Sequence, residues 1–355
     1  MALFVNNTKI PRPYFSGLRV NAFVNGKKVW NPIPTILALS VARGDLSATT
    51  VGNNAIFGGG GTPYSAVVDA YDASLTRTIP TALSQSRSIR YGAATFGTKA
   101  LFCGGYAPGT NTYSAVVDAY DASLTRTNPT GLAYGRSNPG VAKVGDYIIV
   151  AGGSYYGGNG DSSLVEAYNT SLVKSTPTAL PVGQVGSGSG SIGIYALIAG
   201  SNYNNVARAT VTAYNTSLAR STPTALSTAR SSIGAVAIEN HLLFGGGIPA
   251  SAVVDTYDAS LTRSTLTPLS SARGLLAAAY TGAGDILFGG GATNSGTVDV
   301  YNTALTKTGV LSLSVGRSTL TAATVGNYTL FAGGVSPASA KVDVYTKNLK
   351  HFFST

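Results

Sequence analysis

The sequence predicts an all-β fold, a seven-bladed β-propeller behind a short N-terminal β-hairpin leader, and three observations carry that prediction. Three markers recur seven times in a fixed order along the chain. The repeats follow one another at about 45 residues, a period found in propellers and other repeat architectures. Each unit holds four short extended segments separated by turn residues. Composition agrees. Of 355 residues 44 are glycine, 11% are charged and 44% are apolar, which suits many short buried strands joined by glycine turns. A disordered chain would need the reverse, low hydrophobicity with high charge.

The repeat is literal in places. Residues 64–78 read YSAVVDAYDASLTRT, the same fifteen letters return at 113–127, and SAVVDTYDASLTR covers 251–263. Each unit opens its first strand with Arg43, Arg87, Arg136, Arg230, Arg273 or Arg317, and Gln184 holds the fourth slot. Spacings between these slots are 44, 49, 48, 46, 43 and 44. In the first unit the first strand is expected from Leu46 to Val51. The second, Ala55 to Phe57, runs into a glycine doublet; the same marker is LFCGG at 101–105, IVAGG at 149–153, LIAGS at 197–201 and LFGGG at 243–247. The third strand, Ala66 to Tyr71, places Val67, Asp69 and Tyr71 on one face and Ala66, Val68 and Ala70 on the other. Its tyrosine recurs as Tyr120, Tyr168, Tyr214, Tyr257, Tyr301 and Tyr345. The fourth is expected from Leu75 to Ile79, and in the last unit from Leu349 to Thr355, so that unit supplies its own outer strand. Four-stranded units bury both faces only by stacking on neighbours around a ring.

An arginine, an apolar strand ending in two glycines, and a tyrosine with an acid beside it resemble the kelch family over about residues 43–355. The wording AYDASLTRTxPTALSxAR is similar to repeats of gut bacteria and their phages. The resemblance implies kelch-type blades and a binding face on the loops between second and third strands, with arginines at the Arg87 and Arg136 slots among the contacts. One departure is visible. The kelch tryptophan seven residues after the tyrosine is replaced by Thr78, Thr127, Ser175, Ser221, Ser264, Thr308 and Phe352.

Two domains follow: a leader, 1–35, and a propeller, 36–355. The leader carries two hairpin signals, FVNNTKI at 4–10 and FVNGKKV at 23–29. Lys9, Arg12, Arg19, Lys27 and Lys28 give it a charge of +5, and VNGKKVW, ending at Trp30, is similar to leaders of phage-associated proteins. It is either a cover for the propeller edge or an arm that docks on a larger assembly. No export signal is expected, because no basic start precedes an apolar stretch. No run is apolar enough to span a bilayer. A single cysteine, Cys103, excludes a disulfide framework and fits a reducing compartment.

A net charge of +10 suggests nucleic acid at first sight. Repeated slots hold twelve cations against nine acids, leaving +3 there, and the leader supplies +5 of the remaining +7. Charges that recur at one slot read as a blade-to-blade bonding device, so neither nucleic acid nor membrane insertion is expected. Cofactors and metals are not expected either. Two histidines, His241 and His351, fall on separate blades, too few for a copper site. Of the acids only Asp45, Asp146, Asp161, Glu239 and Asp285 lie outside repeated slots, and no paired-carboxylate arrangement is legible among them. The expectation is a protein that binds and does not catalyse.

The second glycine slot and the tyrosine are separated by 11, 15, 15, 13, 10, 10 and 11 residues, so blades two to four carry insertions. These insertions hold Tyr106, Tyr113, Tyr155, Tyr156, Asn159, Tyr203 and Asn204. Tyrosine offers rigid contact area and asparagine adaptable hydrogen bonds. With Arg87, Arg90 and Arg136 they form the expected ligand face, for a glycan or a protein partner. Drift in a duplicated scaffold is the competing explanation of the long loops. The functional expectation is a structural or attachment component of a phage virion or bacterial surface assembly, assembled in the bacterial cytoplasm. A soluble intracellular bacterial kelch interaction module stands second and a carbohydrate-active enzyme third.

Overall fold

Each repeat folds into one four-stranded antiparallel sheet whose strands pair in sequence order, and seven such sheets are present. The computed structural model describes residues 36–354 except 62, 108–111, 156–160, 283, 336, 347–348 and 350, together with four two-residue strands before residue 36. In blade one the strands are Ser47–Val51, Asn54–Gly58, Val68–Asp72 and Arg77–Thr78. Both faces of the third strand are buried, as its packing between two neighbours requires. First strands of consecutive blades contact one another all the way round, including that of blade seven, Thr321–Val325, with that of blade one. The result is a closed ring of seven blades.

The ring closes without exchanging a strand. The outermost strand of blade seven is its own, His351–Phe353, paired with Val342–Thr346. Closure rests on a core shared by blades seven and one, in which Leu39, Leu46, Phe57 and Tyr71 meet Val325, Leu330, Val344 and Phe352. The other six interfaces have cores of the same design, with the tyrosine of each blade facing the preceding one. Each tyrosine hydroxyl donates to a carbonyl of the segment that leads into its own blade, as Tyr120 does to Thr81 at 2.7 Å.

The fourth strand of blade one, Arg77–Thr78, starts later than the sequence suggested, because a leucine in the turn before it adopts the left-handed conformation. Leu75, Leu124, Leu172, Leu218, Leu261, Leu305 and Leu349 all have φ between 56° and 64°. The turn is held from below. Asp72 Oδ1 accepts hydrogen bonds from the Ser74 and Thr76 amides at 2.8 and 2.9 Å, and Asp121, Asn169, Asn215 and Asp258 repeat the device. This explains why the string DASLTR is conserved between copies within the chain.

The blade-to-blade hydrogen-bond or ion-pair device expected of the opening slot is divided between side chain and backbone, and the arginine side chains act within their own blades. All are buried, and each pairs with the acid of its own unit, from Arg43–Asp69 at 2.8 Å to Arg317–Asp343 at 2.6 Å. The same acid meets the cation of the fourth strand, as Asp299 meets Lys307 at 2.7 Å. Blade-to-blade bonding falls instead to the backbone of the same slot. Amides of Gly60, Gly105, Gly153, Ser201, Gly247, Gly291 and Gly334 each donate to the arginine-slot carbonyl of the next blade, at 2.7–3.0 Å. The first glycine of each doublet is needed here: a Cβ at Gly59 would lie 2.8 Å from the Arg87 carbonyl.

The chain divides into two units, Met1–Thr35 and Ile36–Thr355. In the first, Phe4–Val5 pairs with Thr8–Lys9, and Phe23–Val24 with Lys27–Lys28, so both hairpin signals form hairpins. Arg12, Arg19 and Trp30 lie outside the described residues. Among the described residues no helix is long and apolar enough to cross a membrane.

Candidate functional site

A second circle of amides surrounds the propeller axis, and its single gap marks the site. Two residues after each opening slot, the N–H of one blade donates to the carbonyl of the one before: Asp45 to Thr319, Ile89 to Asp45, Gly186 to Asn138, Ser232 to Gly186, Leu275 to Ser232 and Thr319 to Leu275. The link from blade three to blade two is missing. Blade two has one extra residue before its first strand, and the Ile89 carbonyl turns inward to accept from Gly92 instead. The extra length places Arg90 and Tyr91 at the axis, with Tyr91 at φ 65°.

Arg90 and Tyr91 lie between two cavities. One, of about 160 Å3, occupies the axis between first strands. The other, of about 380 Å3, opens above it as a cleft over blades two to five. This is within the ~300–1,000 Å3 span of small-molecule sites. The cleft is lined mainly by polar side chains, among them Asn138, Asp161, Asn202, Asn204, Asn205 and Ser232. The Arg90 guanidinium carbon lies 4.8 Å from the Tyr91 ring centre, and its Nη1 lies 3.8 Å from Asp45. Arg90 Nη2 and the Tyr91 hydroxyl are buried and have no hydrogen-bond partner among the described residues. Such orphan groups carry a desolvation penalty of about 1–3 kcal/mol each, which an arriving acceptor relieves.

Blade four builds the opposite wall. Its second and third strands, Tyr195–Tyr203 and Val206–Asn215, run on as one long hairpin that turns at Asn204 and Asn205, both left-handed. Three substitutions permit this. In blades one, five, six and seven the second glycine packs on the stem of the opening arginine; a Cβ at Gly60 would lie 2.8 Å from Arg43 Cδ. With Gln184 in place of arginine, Ser201 fits, the glycine kink is lost and the strand continues through a bulge between Ala199 and Ser201. Thr212 replaces the acid that no longer has a partner. Gln184, Ser201 and Thr212 are buried, and their polar side-chain atoms have no hydrogen-bond partner among the described residues. The hairpin tip and blade three line the same cleft, and there Asp161 accepts from the Ser154 hydroxyl at 2.8 Å. Burial pushes the Asp161 carboxyl up from its ordinary value, and the Ser154 hydrogen bond opposes that.

Further tyrosines gather on the loops of blades one to four. Tyr106–Ala107 and Thr112–Tyr113 form a small hairpin, and the Tyr106 ring stands 5.6 Å from Tyr113 and 5.9 Å from Tyr64. Tyr155 lies 6.5 Å from Tyr134. Tyr203 faces Arg208 at 5.4 Å. Of the residues expected from sequence, Arg90 and Asn204 thus line the cleft, and Tyr106, Tyr113, Tyr155 and Tyr203 are half-buried on those loops. Tyr156 and Asn159 lie outside the described residues. Arg87 and Arg136 must be withdrawn from the ligand face: both are fully buried, ion-paired to Asp118 and Glu166 at 2.8 Å, and hold up their own blades. Tyr91, Asn138, Asp161 and Ser232 were not anticipated. The extra residue of blade two was the available signal, visible as the 49-residue spacing from Arg87 to Arg136 only after subtracting the loop insertion.

Cys103 is a buried filler, its thiol pushed up to about 12 by burial. No protein-family model matches the chain, and no curated protein matches it. Among solved structures, that of YjhT is similar over 90% of this chain and 99% of its own, with a TM-score of 0.58 and 13% identity. The two share the propeller fold. At that identity the likeness concerns architecture alone.

Proposed function

We propose that the chain is a non-catalytic recognition protein of the bacterial and phage kelch type, and that the cleft over blades two to five binds a hydroxyl-rich ligand, a surface glycan. The observation that carries this reading is the mainly polar lining of that cleft, where asparagine, serine and aspartate side chains stand beside Arg90 and Tyr91. Sugar hydroxyls both donate and accept, so a mixed wall of this kind suits them better than it suits an apolar segment.

The setting we propose is a virion or bacterial surface assembly, with the propeller as the attachment part and the leader, through Lys9, Arg12, Arg19, Lys27, Lys28 and Trp30, as the arm that meets a protein partner. Assembly in the bacterial cytoplasm follows from that reading. An intracellular interaction module is the alternative, and detection of the chain in purified particles separates the two.

The test is binding of the intact chain to a glycan array and to bacterial cells, beside Arg90→Ala and Asn204→Ala variants of unchanged melting temperature. Retention that both variants lose supports the cleft. Absence of any glycan binding by the intact chain overturns the reading, and cleavage of a bound glycan that Asp161→Asn abolishes replaces it with an enzymatic one.

A further inference from the structure

We infer that the ligand is an extended, linear glycan, gripped in the polar cleft at one point and stacked along a row of tyrosines over blades one to three. The inference rests on the glycan reading above and adds the shape of the ligand to it.

The row consists of two ring clusters, Tyr64–Tyr106–Tyr113 and Tyr134–Tyr155, joined through a main-chain contact. Tyr64 and Tyr106 are tilted 34° to each other at 5.9 Å, and Tyr106 meets Tyr113 edge-on at 5.6 Å. The main chain of Tyr113 packs against Gly135, where even a Cβ would collide with it, and Gly135 adjoins Tyr134. Tyr134 then pairs with Tyr155 at 6.5 Å and 31°. One end of the row reaches a cleft wall: Tyr155 follows Ser154, which lines the cleft and whose hydroxyl donates to Asp161 at 2.8 Å.

These rings have no role in the core. Tyr134 is 62% exposed and Tyr64 38%. Tyr64 and Tyr113 hold one repeat position in blades one and two, whereas the slot of Tyr134, two before the arginine, holds Val41, Gln85, Val182, Thr228, Ser271 and Val315 elsewhere. Aromatic faces bind the C–H faces of sugar rings while phenol hydroxyls and nearby amides take the sugar hydroxyls. A row with a polar stop at its side therefore fits a chain of sugars lying across the face, and a monosaccharide would leave most of it unused.

The experiment measures affinity for chitin-, cellulose- and maltodextrin-derived series and for size-fractionated bacterial O-polysaccharide, each from monosaccharide to octasaccharide. The intact chain is compared with Tyr64→Ala/Tyr134→Ala, two exposed positions whose loss leaves the fold intact, and with Arg90→Ala. Affinity should rise with chain length and then level off. The tyrosine variant should lose roughly three- to tenfold per missing ring on long chains, and keep the affinity of short ones. Arg90→Ala should weaken both. Equal affinity for short and long chains, or a tyrosine variant that binds long chains as the parent does, sinks the extended ligand and leaves the cleft reading standing. Binding to no sugar of any length brings down the reading it rests on. Retention on cells that survives periodate but not protease assigns the tyrosine row to a protein and overturns the inference.

Discussion

Replacing Arg273 by methionine should destabilise the propeller by about 4 kcal/mol, within the ~3–5 kcal/mol expected when one partner of a buried ion pair is removed. The guanidinium donates to the Gly290 carbonyl at 2.8 Å, to the Phe288 carbonyl at 3.1 Å and to Asp299 Oδ2 at 2.7 Å. Methionine fills much of the volume but leaves two strand-end carbonyls and one carboxylate oxygen without a donor. Oδ1 keeps Lys307 at 2.7 Å and the Ser270 amide at 2.9 Å, so the carboxylate is not wholly abandoned. Urea unfolding followed by far-UV circular dichroism measures the effect; with a slope of ~1–3 kcal/mol per molar, the midpoint should fall by more than about 1 M. Acid supplies a second signature. Burial alone would raise the Asp299 carboxyl, but hydrogen bonds from Lys307 and Arg273 outweigh it and hold the group below its ordinary value. A depressed carboxyl contributes stability above the unfolded pKa, about 3.9, that is lost as pH falls through the folded one. The parent has this increment to lose and the variant much less of it, so the gap between them should narrow from neutral pH to pH 3. A difference under about 1 kcal/mol at pH 7, or a gap that does not change with pH, refutes the assignment of Arg273 as the clamp of its own blade.

Gln184→Arg alone should destabilise by roughly 2–4 kcal/mol, because blade four offers no acid and Ser201 stands where the stem would lie. Adding Ser201→Gly and Thr212→Asp should restore most of that in thermal melts while shortening the hairpin and weakening glycan binding. Tyr301→Phe removes the 2.7 Å bond to the Thr267 carbonyl and should lower stability by about 1 kcal/mol in urea titrations, with no change in ligand affinity. The Cys103 thiol, raised to about 12 by burial, should resist a disulfide exchange reagent at pH 8 in the folded protein and react fully in denaturant; rapid reaction in the folded state contradicts its placement.

The blades were legible because the constraints that build them are local and repeated. A glycine doublet, an arginine and a tyrosine at one spacing, seven times over, leave few other ways to bury both faces of four-stranded units. The long loops of blades two to four were legible as well, since insertion is counted directly. What the repeat concealed was which half of each arginine does what: spacing cannot separate a guanidinium that clamps its own blade from a carbonyl that holds the neighbour. Arg87 and Arg136, placed on the ligand face by the kelch resemblance, are buried supports of their own blades. Tyr91 and Asn138 escaped notice for the opposite reason. Their significance lies in a gap in a ring of amides, and a missing hydrogen bond between blades leaves no residue pattern. Gln184, Ser201 and Thr212 were visible as three departures, but only the packing of Arg43 on Gly60 explains why they occur together.

Amide hydrogen exchange of the intact chain, with and without the glycan that binds most tightly on an array, tests the cleft most directly. Protection of residues 88–92, 202–206 and 231–233, in the strands and turns that wall the cleft, is the result this account predicts. Protection at the turns of the opposite face, around residues 52, 145 and 239, or only within residues 1–35, would contradict it.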